Sequence, residues 1–335
     1  MISVVAFVVL AGMISAYVVL DGFDLGVAAI TPLIARSDRE RDASMHAIGP
    51  FLHANEVWLI AGGGALFALF PKAYASAFSG FYLPFMIVLW LLMFRGIAIE
   101  LRKHFPTRIW HDFWDFCFTG SSTLLILLFG VALGNLLRGV PLDAHGYFIG
   151  TFAYLLNPYA IGVGLFAILA LALHGALFIR LRLDGAPSER AARLAIPLWW
   201  AVLIAYIIVT FTTFTMQPIA AMLPTANYSA AVAAMLIVFS LAALVTSRIA
   251  VDRNAPQVAF VASCIFLGML LIAAAATLYP YLLPSFPRGN GISIFDASPG
   301  PTTSVTALVA IVLGLCIMLG YSAITLPRLL GKIRS

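Results

Sequence analysis

The chain has 335 residues, 62% of them hydrophobic and only 10% charged, with a mean hydropathy of +1.03. A soluble domain carries about 25% charged residues, so this composition excludes an ordinary soluble enzyme and points to a polytopic membrane protein. The net charge of +5 is no nucleic-acid footprint, because the basic residues gather at the ends of apolar runs and not along one face.

A bilayer core needs about 20 apolar residues per helix. In chain order, runs of that size fall near 3–20 (continuing towards 35), 56–71, 77–99, 114–136, 150–180, 195–216, 226–248, 256–279 and 303–327. This predicts nine transmembrane helices in one integral membrane domain, 1–335. The first run, "MISVVAFVVLAGMISAYVVL", has no basic n-region, and apolar sequence resumes after "DGFD", so it reads as a retained helix and not a cleaved signal. The second helix is predicted to be short, and the fifth long enough to tilt or protrude. The longest outer connections, "DAHGYF" and "SFPRGNGISIFDASPGP", read as a polar turn and a Gly/Pro/Ser loop.

Charge sets the orientation. Of the 19 Lys and Arg residues, all but Lys72, Arg138 and Arg288 fall in odd-numbered connections or at the C-terminus, with Arg95 counted among them. That asymmetry predicts an N-terminus outside and a C-terminus in the cytoplasm. Of the 14 acids, only Asp143 and Asp296 fall outside. Asp21, Asp24, Glu56, Glu100, Asp112 and Asp115 gather at the predicted cytoplasmic ends of the first four helices. Asp112 and Glu100 have close basic neighbours and read as solvated surface pairs. Asp24 and Glu56 run directly into apolar sequence and need another account.

"LDGFDLG" places Asp21 and Asp24 on one helix face, and Gly22 and Gly26 form a G-x-x-x-G that lets another helix approach closely. The stretch is either a helix break with a solvated acidic turn or a polar site inside a bundle. "HANEVW" opens the second predicted helix. In one reading Asn55 caps that helix and Glu56 suits its N-terminal dipole. In the other, His53 and Glu56 exchange protons and Asn55 orients a water between them. Trp58, Gly62, Gly63 and Gly64 follow and suit tight helix packing.

Cofactor ligands are scarce. Cys117, Cys264 and Cys316 lie far apart with no C-x-x-C, and read as small buried hydrophobes. His174 is the one histidine well inside an apolar run, and reads as hydrogen-bonded to a neighbouring helix, not as a haem ligand. "FTTFTMQP", 211–218, reads as polar packing at an outer helix end.

These motifs resemble subunit II of the cytochrome bd-type quinol oxidases. "YVVLDGFDLGV" looks like that family's first-helix motif, and the block from "GPFLHANEVW" to "FRGIAIELR" is similar to its longest. "FWDFCFTGSS", "GNLLRGVP", "LLNPYAIGVG", "HGALF", "YPYLLPS" and "FDAS" recur in the family's order, so the likeness covers nearly the whole chain. It implies two four-helix bundles plus a peripheral helix. It also implies a partner, subunit I, carrying two b-type haems, one d-type haem and the quinol oxidation site. Family members oxidise quinol and reduce oxygen to water, electrogenically but without proton pumping, in the bacterial cytoplasmic membrane. Their protons come from the cytoplasm, and this subunit can hold a structural quinone in place of haem. A small single-helix accessory subunit and membrane lipid are further candidate partners. Where many members carry an aspartate in a "W-D-G-N" context, this chain has His53 in "LHAN". The expected proton entrance is therefore His53, Asn55 and Glu56 with Asp21 and Asp24. Gly22, Gly26, Gly62, Gly63 and Gly64, with Trp58, are expected to serve helix packing and the subunit interface. A membrane scaffold without a proton path, and a secondary transporter, remain alternatives.

Overall fold

The computed structural model describes residues 1–216, 226–286, 289–329 and 331–332. Among these, nine helices are long and apolar enough to cross a membrane. They are α1 (Ile2–Ile34), α2 (Asp38–Leu69), α4 (Tyr82–Leu101), α5 (Arg108–Arg138), α7 (Pro158–Arg182), α8 (Ala186–Met216), α9 (Ala226–Asp252), α10 (Pro256–Leu278) and α12 (Pro301–Leu329). Three short helices, α3 (Pro71–Gly80), α6 (Phe152–Leu155) and α11 (Ile294–Ala297), lie between them, with a two-stranded antiparallel sheet of β1 (Tyr281–Leu283) and β2 (Ile292–Ser293). Gln217 and Pro218 of the predicted outer patch, and Pro287 and Arg288 of the predicted loop, lie outside the described residues, as does Arg334.

The helix count agrees with the hydropathy reading, but several boundaries move. α1 runs unbroken through "LDGFDLG", so the helix-break reading of Asp21 and Asp24 fails. The second helix is not short. It starts at Asp38, where the Ser37 hydroxyl accepts from the Glu40 amide and Asp38 and Glu40 occupy the first turn. Hydropathy hides this first half because its charges are matched by partners on other helices. The third predicted run splits into α3 and α4 at Phe81. The fifth is shorter than expected, because Asn157 caps α7 through the Ala160 amide and separates it from α6.

α1 and α7 sit centrally. Gly26 on α1 meets α7 so closely that a Cβ there would lie 1.9 Å from the Leu171 carbonyl oxygen, and one on Gly175 would lie 2.3 Å from the Gly26 carbonyl carbon. Around this crossing one apolar core joins α1, α2, α4, α5 and α7 to α8, α9 and α10. A second core, with Leu10, Trp58, Phe70 and Phe81, lies under the sheet, α11 and the 139–150 connection. The 139–150 connection and the one that follows α10 are therefore folded together, with Val140 bridged to Ser285, and Leu142 bridges to Phe148 within the first of them. α12 rests on α1 and α2, and no residue of its most apolar stretch is buried.

Candidate functional site

Tyr17, Asp21 and Asp24 fall at i, i+4 and i+7 of α1 and therefore share a face. Into that face projects Arg95 of α4, which is fully buried and not the loop charge the sequence suggested. Its Nη1 donates to Asp21 Oδ2 at 2.9 Å and its Nη2 to Asp21 Oδ1 at 2.6 Å, a two-pronged pairing. Asp24 Oδ2 lies 4.0 Å from Nη2. Both aspartates are wholly buried.

α2 supplies the third side. Asn55 is not a cap, since α2 begins at Asp38 and Asn55 lies deep in the helix, buried. Its Nδ2 donates to Asp24 Oδ2 at 2.7 Å and to the Leu20 carbonyl at 2.9 Å, tying α2 to α1. Glu56 is likewise about 27 Å along the helix from Asp38, at 1.5 Å per residue, so it does not complement an N-terminal dipole. Its Oε1 lies 3.7 Å from Arg95 Nη1 and its Oε2 lies 3.7 Å from His53 Nδ1. Side-chain exposure falls steeply along this series: 81% at His53, 24% at Glu56 and 0% at Arg95, Asp21 and Asp24.

A groove of about 720 Å³ between α2 and the end of α4 leads to the exposed end of the series. Asp42, His46, His53, Gly96 (the neighbour of Arg95), Glu100 and Arg102 are among the residues that line it. The rim is a separate charged layer. Arg102 Nε donates to Asp115 Oδ1 at 2.6 Å, its Nη1 donates to Asp42, and Asp38 lies at 3.3 Å. Burial works against the charged Arg102, but Asp115, Asp42 and Asp38 outweigh it and hold its pKa above the usual arginine value. Asp112 lies 3.7 Å from Arg41 and 3.6 Å from Arg108, and Glu100 lies 3.9 Å from Lys103. The acids expected as one cytoplasmic belt thus form two layers, a solvated rim and a buried cluster one helix segment deeper.

The glycines divide as well. Gly22 and Gly26 face Leu171 of α7, so their close approach is internal to this chain, and they are removed from the expected subunit interface. Gly62 is buried against Ile14, and Trp58 is buried in the second core. A Cβ on Gly63 or Gly64 would meet nothing within 4 Å. His174 is fully buried, with Nδ1 2.7 Å from Ser263 Oγ and Nε2 3.0 Å from the Val19 carbonyl. The carbonyl only accepts, so Nε2 is the protonated nitrogen. Both ring nitrogens are engaged, so either one could bind iron only by giving up its present partner.

Sequence reasoning missed Arg95 and Tyr17. The available signal was "MFRGIAI", a lone arginine with apolar residues on both sides, in a chain with unmatched acids on other helices.

The model of a protein family described as cytochrome bd terminal oxidase subunit II matches residues 2–327. The chain is 31% identical to cytochrome bd-I ubiquinol oxidase subunit 2 of Escherichia coli (strain K12), over 95% of this chain and 91% of that protein. It is 37% identical to cytochrome bd ubiquinol oxidase subunit 2 of Bacillus subtilis (strain 168), over 59% of each. Its fold is similar to a chain in the structure of bd oxidase from Geobacillus thermodenitrificans, with a TM-score of 0.79, 17% identity and 97% of each chain covered.

Proposed function

Because the chain belongs to the cytochrome bd terminal oxidase subunit II family, we propose that it is the haem-free subunit of a membrane complex that oxidises quinol and reduces oxygen to water. Subunit I carries the two b-type haems, the d-type haem and the quinol site, and this chain supplies the structural half and a proton entrance. The N-terminus lies outside and the C-terminus in the cytoplasm, so the charged rim and the groove face the proton source. Leaving Arg95 out of the loop charges does not alter the sign of that asymmetry.

The observation that carries the proton entrance is the series His53, Glu56, Arg95, in which adjacent groups lie 3.7 Å apart and exposure falls from 81% to 0%. His53 lines the groove and is largely exposed, so it meets bulk water. Glu56 takes the proton inward, and Arg95 with Asp21 holds the carboxylate facing the entrance. His53 thus stands in for the acidic group other members carry there. The test is Glu56→Gln in the complete complex, which keeps shape and hydrogen bonding but carries no proton. Lower turnover at unchanged haem content supports the relay, and unchanged turnover overturns it.

A second reading has its own support. The Asp21–Arg95 pairing and the Asn55 bonds tie α1, α2 and α4 together, which is what a scaffold needs. Under that reading the cluster sets assembly and not rate.

A further inference from the structure

We propose that Asp24 rests in its protonated, neutral form with the proton on Oδ1, and that Asn55 is the positioning residue that dictates which oxygen carries it. The starting point is a charge count. The charged and polar groups around Asp24 are Asp21 on α1, Asn55 and Glu56 on α2, and Arg95 on α4. Three carboxylates surround one permanent cation. Arg95 commits both terminal nitrogens to Asp21, at 2.9 and 2.6 Å. Glu56 is partly exposed and lies 3.7 Å from the His53 ring, so water and an imidazole are both available to its carboxylate. Asp24 has neither. It is fully buried, its one hydrogen-bond partner is a neutral amide, and the nearest guanidinium nitrogen lies 4.0 Å away, beyond hydrogen-bond range. A buried carboxylate without a paired cation is costly enough that such groups take up a proton.

The hydrogen bonds decide where that proton sits. The side-chain amide of Asn55 cannot be turned round, because the group facing the Leu20 carbonyl must be a donor, and a carbonyl only accepts. Nδ2 therefore has its two hydrogens on Leu20 O and Asp24 Oδ2. Asp24 Oδ2 is thereby an acceptor and takes the role of the carbonyl oxygen of the acid. The hydroxyl is left to Oδ1, which is buried and has no hydrogen-bond partner in the chain.

The inference concerns an equilibrium state and stands whether or not Glu56 relays protons. Infrared spectroscopy of the purified complex tests it, through the C=O stretch of protonated carboxyl groups, recognised by its downshift in D₂O. Asp24→Asn is expected to remove one such band. Asn55→Ala is expected to keep the band and move it to higher frequency, because the hydrogen bond on the carbonyl oxygen is lost. An Asp24→Asn complex that retains every protonated-carboxyl band of the wild type overturns the proposal. If that complex does not assemble, an unmoved spectrum in Asn55→Ala overturns it equally. Proton-coupled turnover, measured separately, bears on the relay alone.

Discussion

Arg95 and Asp21 are joined by two parallel hydrogen bonds, 2.6 and 2.9 Å long, at a depth where neither side chain reaches solvent. The pair locks α4 to α1, and removing one member leaves the other as an uncompensated buried charge, at a cost of about 3–5 kcal/mol. Arg95→Leu is therefore expected to lower the yield and thermal stability of the complex sharply. Arg95→Lys should rescue little, since an ammonium cannot reproduce the planar fork. Near-normal melting of the Lys variant would show that the fork geometry is unimportant.

Glu56→Gln and His53→Phe are each expected to reduce quinol-driven oxygen uptake, Glu56→Gln by about tenfold or more, with haem content and assembly preserved. The groups lie in series, 3.7 Å apart, so the double variant should be scarcely worse than Glu56→Gln alone. Wild-type oxygen uptake in both single variants would leave the scaffold reading in place.

Gly26 and Gly63 separate internal packing from partner contact. Gly26→Leu drives a side chain into the α7 backbone, where even a Cβ would lie 1.9 Å from the Leu171 oxygen, and should abolish accumulation of this chain. A Cβ on Gly63 meets nothing within 4 Å in this chain, so Gly63→Leu is expected to leave its fold intact. If the open face of α2 meets subunit I, Gly63→Leu should release that partner during purification. Co-purification on an affinity tag distinguishes the outcomes, and full retention of the partner places the interface elsewhere.

His174→Ala removes contacts to Ser263 and Val19 and a ring stacked on Phe260 at 4.9 Å. The expected cost is about 3 kcal/mol of stability, from the cavity and the lost bonds together. The complex that does assemble should keep its haem-to-protein ratio. Selective loss of one haem in the absorption spectrum would assign His174 a ligand role.

A reporter fused after Ser335 should read cytoplasmic, because the basic residues concentrate on that side. An extracytoplasmic signal would reverse the orientation and remove the groove from the proton source.

Several features were legible because they depend on local chemistry. The nine spans follow from apolar run length, since a backbone in hydrocarbon must satisfy its own hydrogen bonds as helix. The peculiarity of Asp24 and Glu56 was legible from the apolar sequence that follows them. The reading of "HANEVW" as a helix start was not sound, because hydropathy cannot see a charged half-helix whose charges are answered elsewhere, as Arg102 answers Asp38 and Asp42.

By itself, the sequence determined the membrane class, the number of spans and the presence of acids too deep to be solvated, because apolar length and charge placement are properties of consecutive residues. Only the tertiary structure decided what those acids meet. Arg95 lies 74 positions from Asp21, and Asn55 lies 31 from Asp24. No local rule brings such pairs together. They meet because Gly26 lets α1 lie directly on α7, while α2 and α4 pack beside α1 with their few polar side chains turned to the one place where each finds a partner, the alternative in a low-dielectric interior being an unpaired charge.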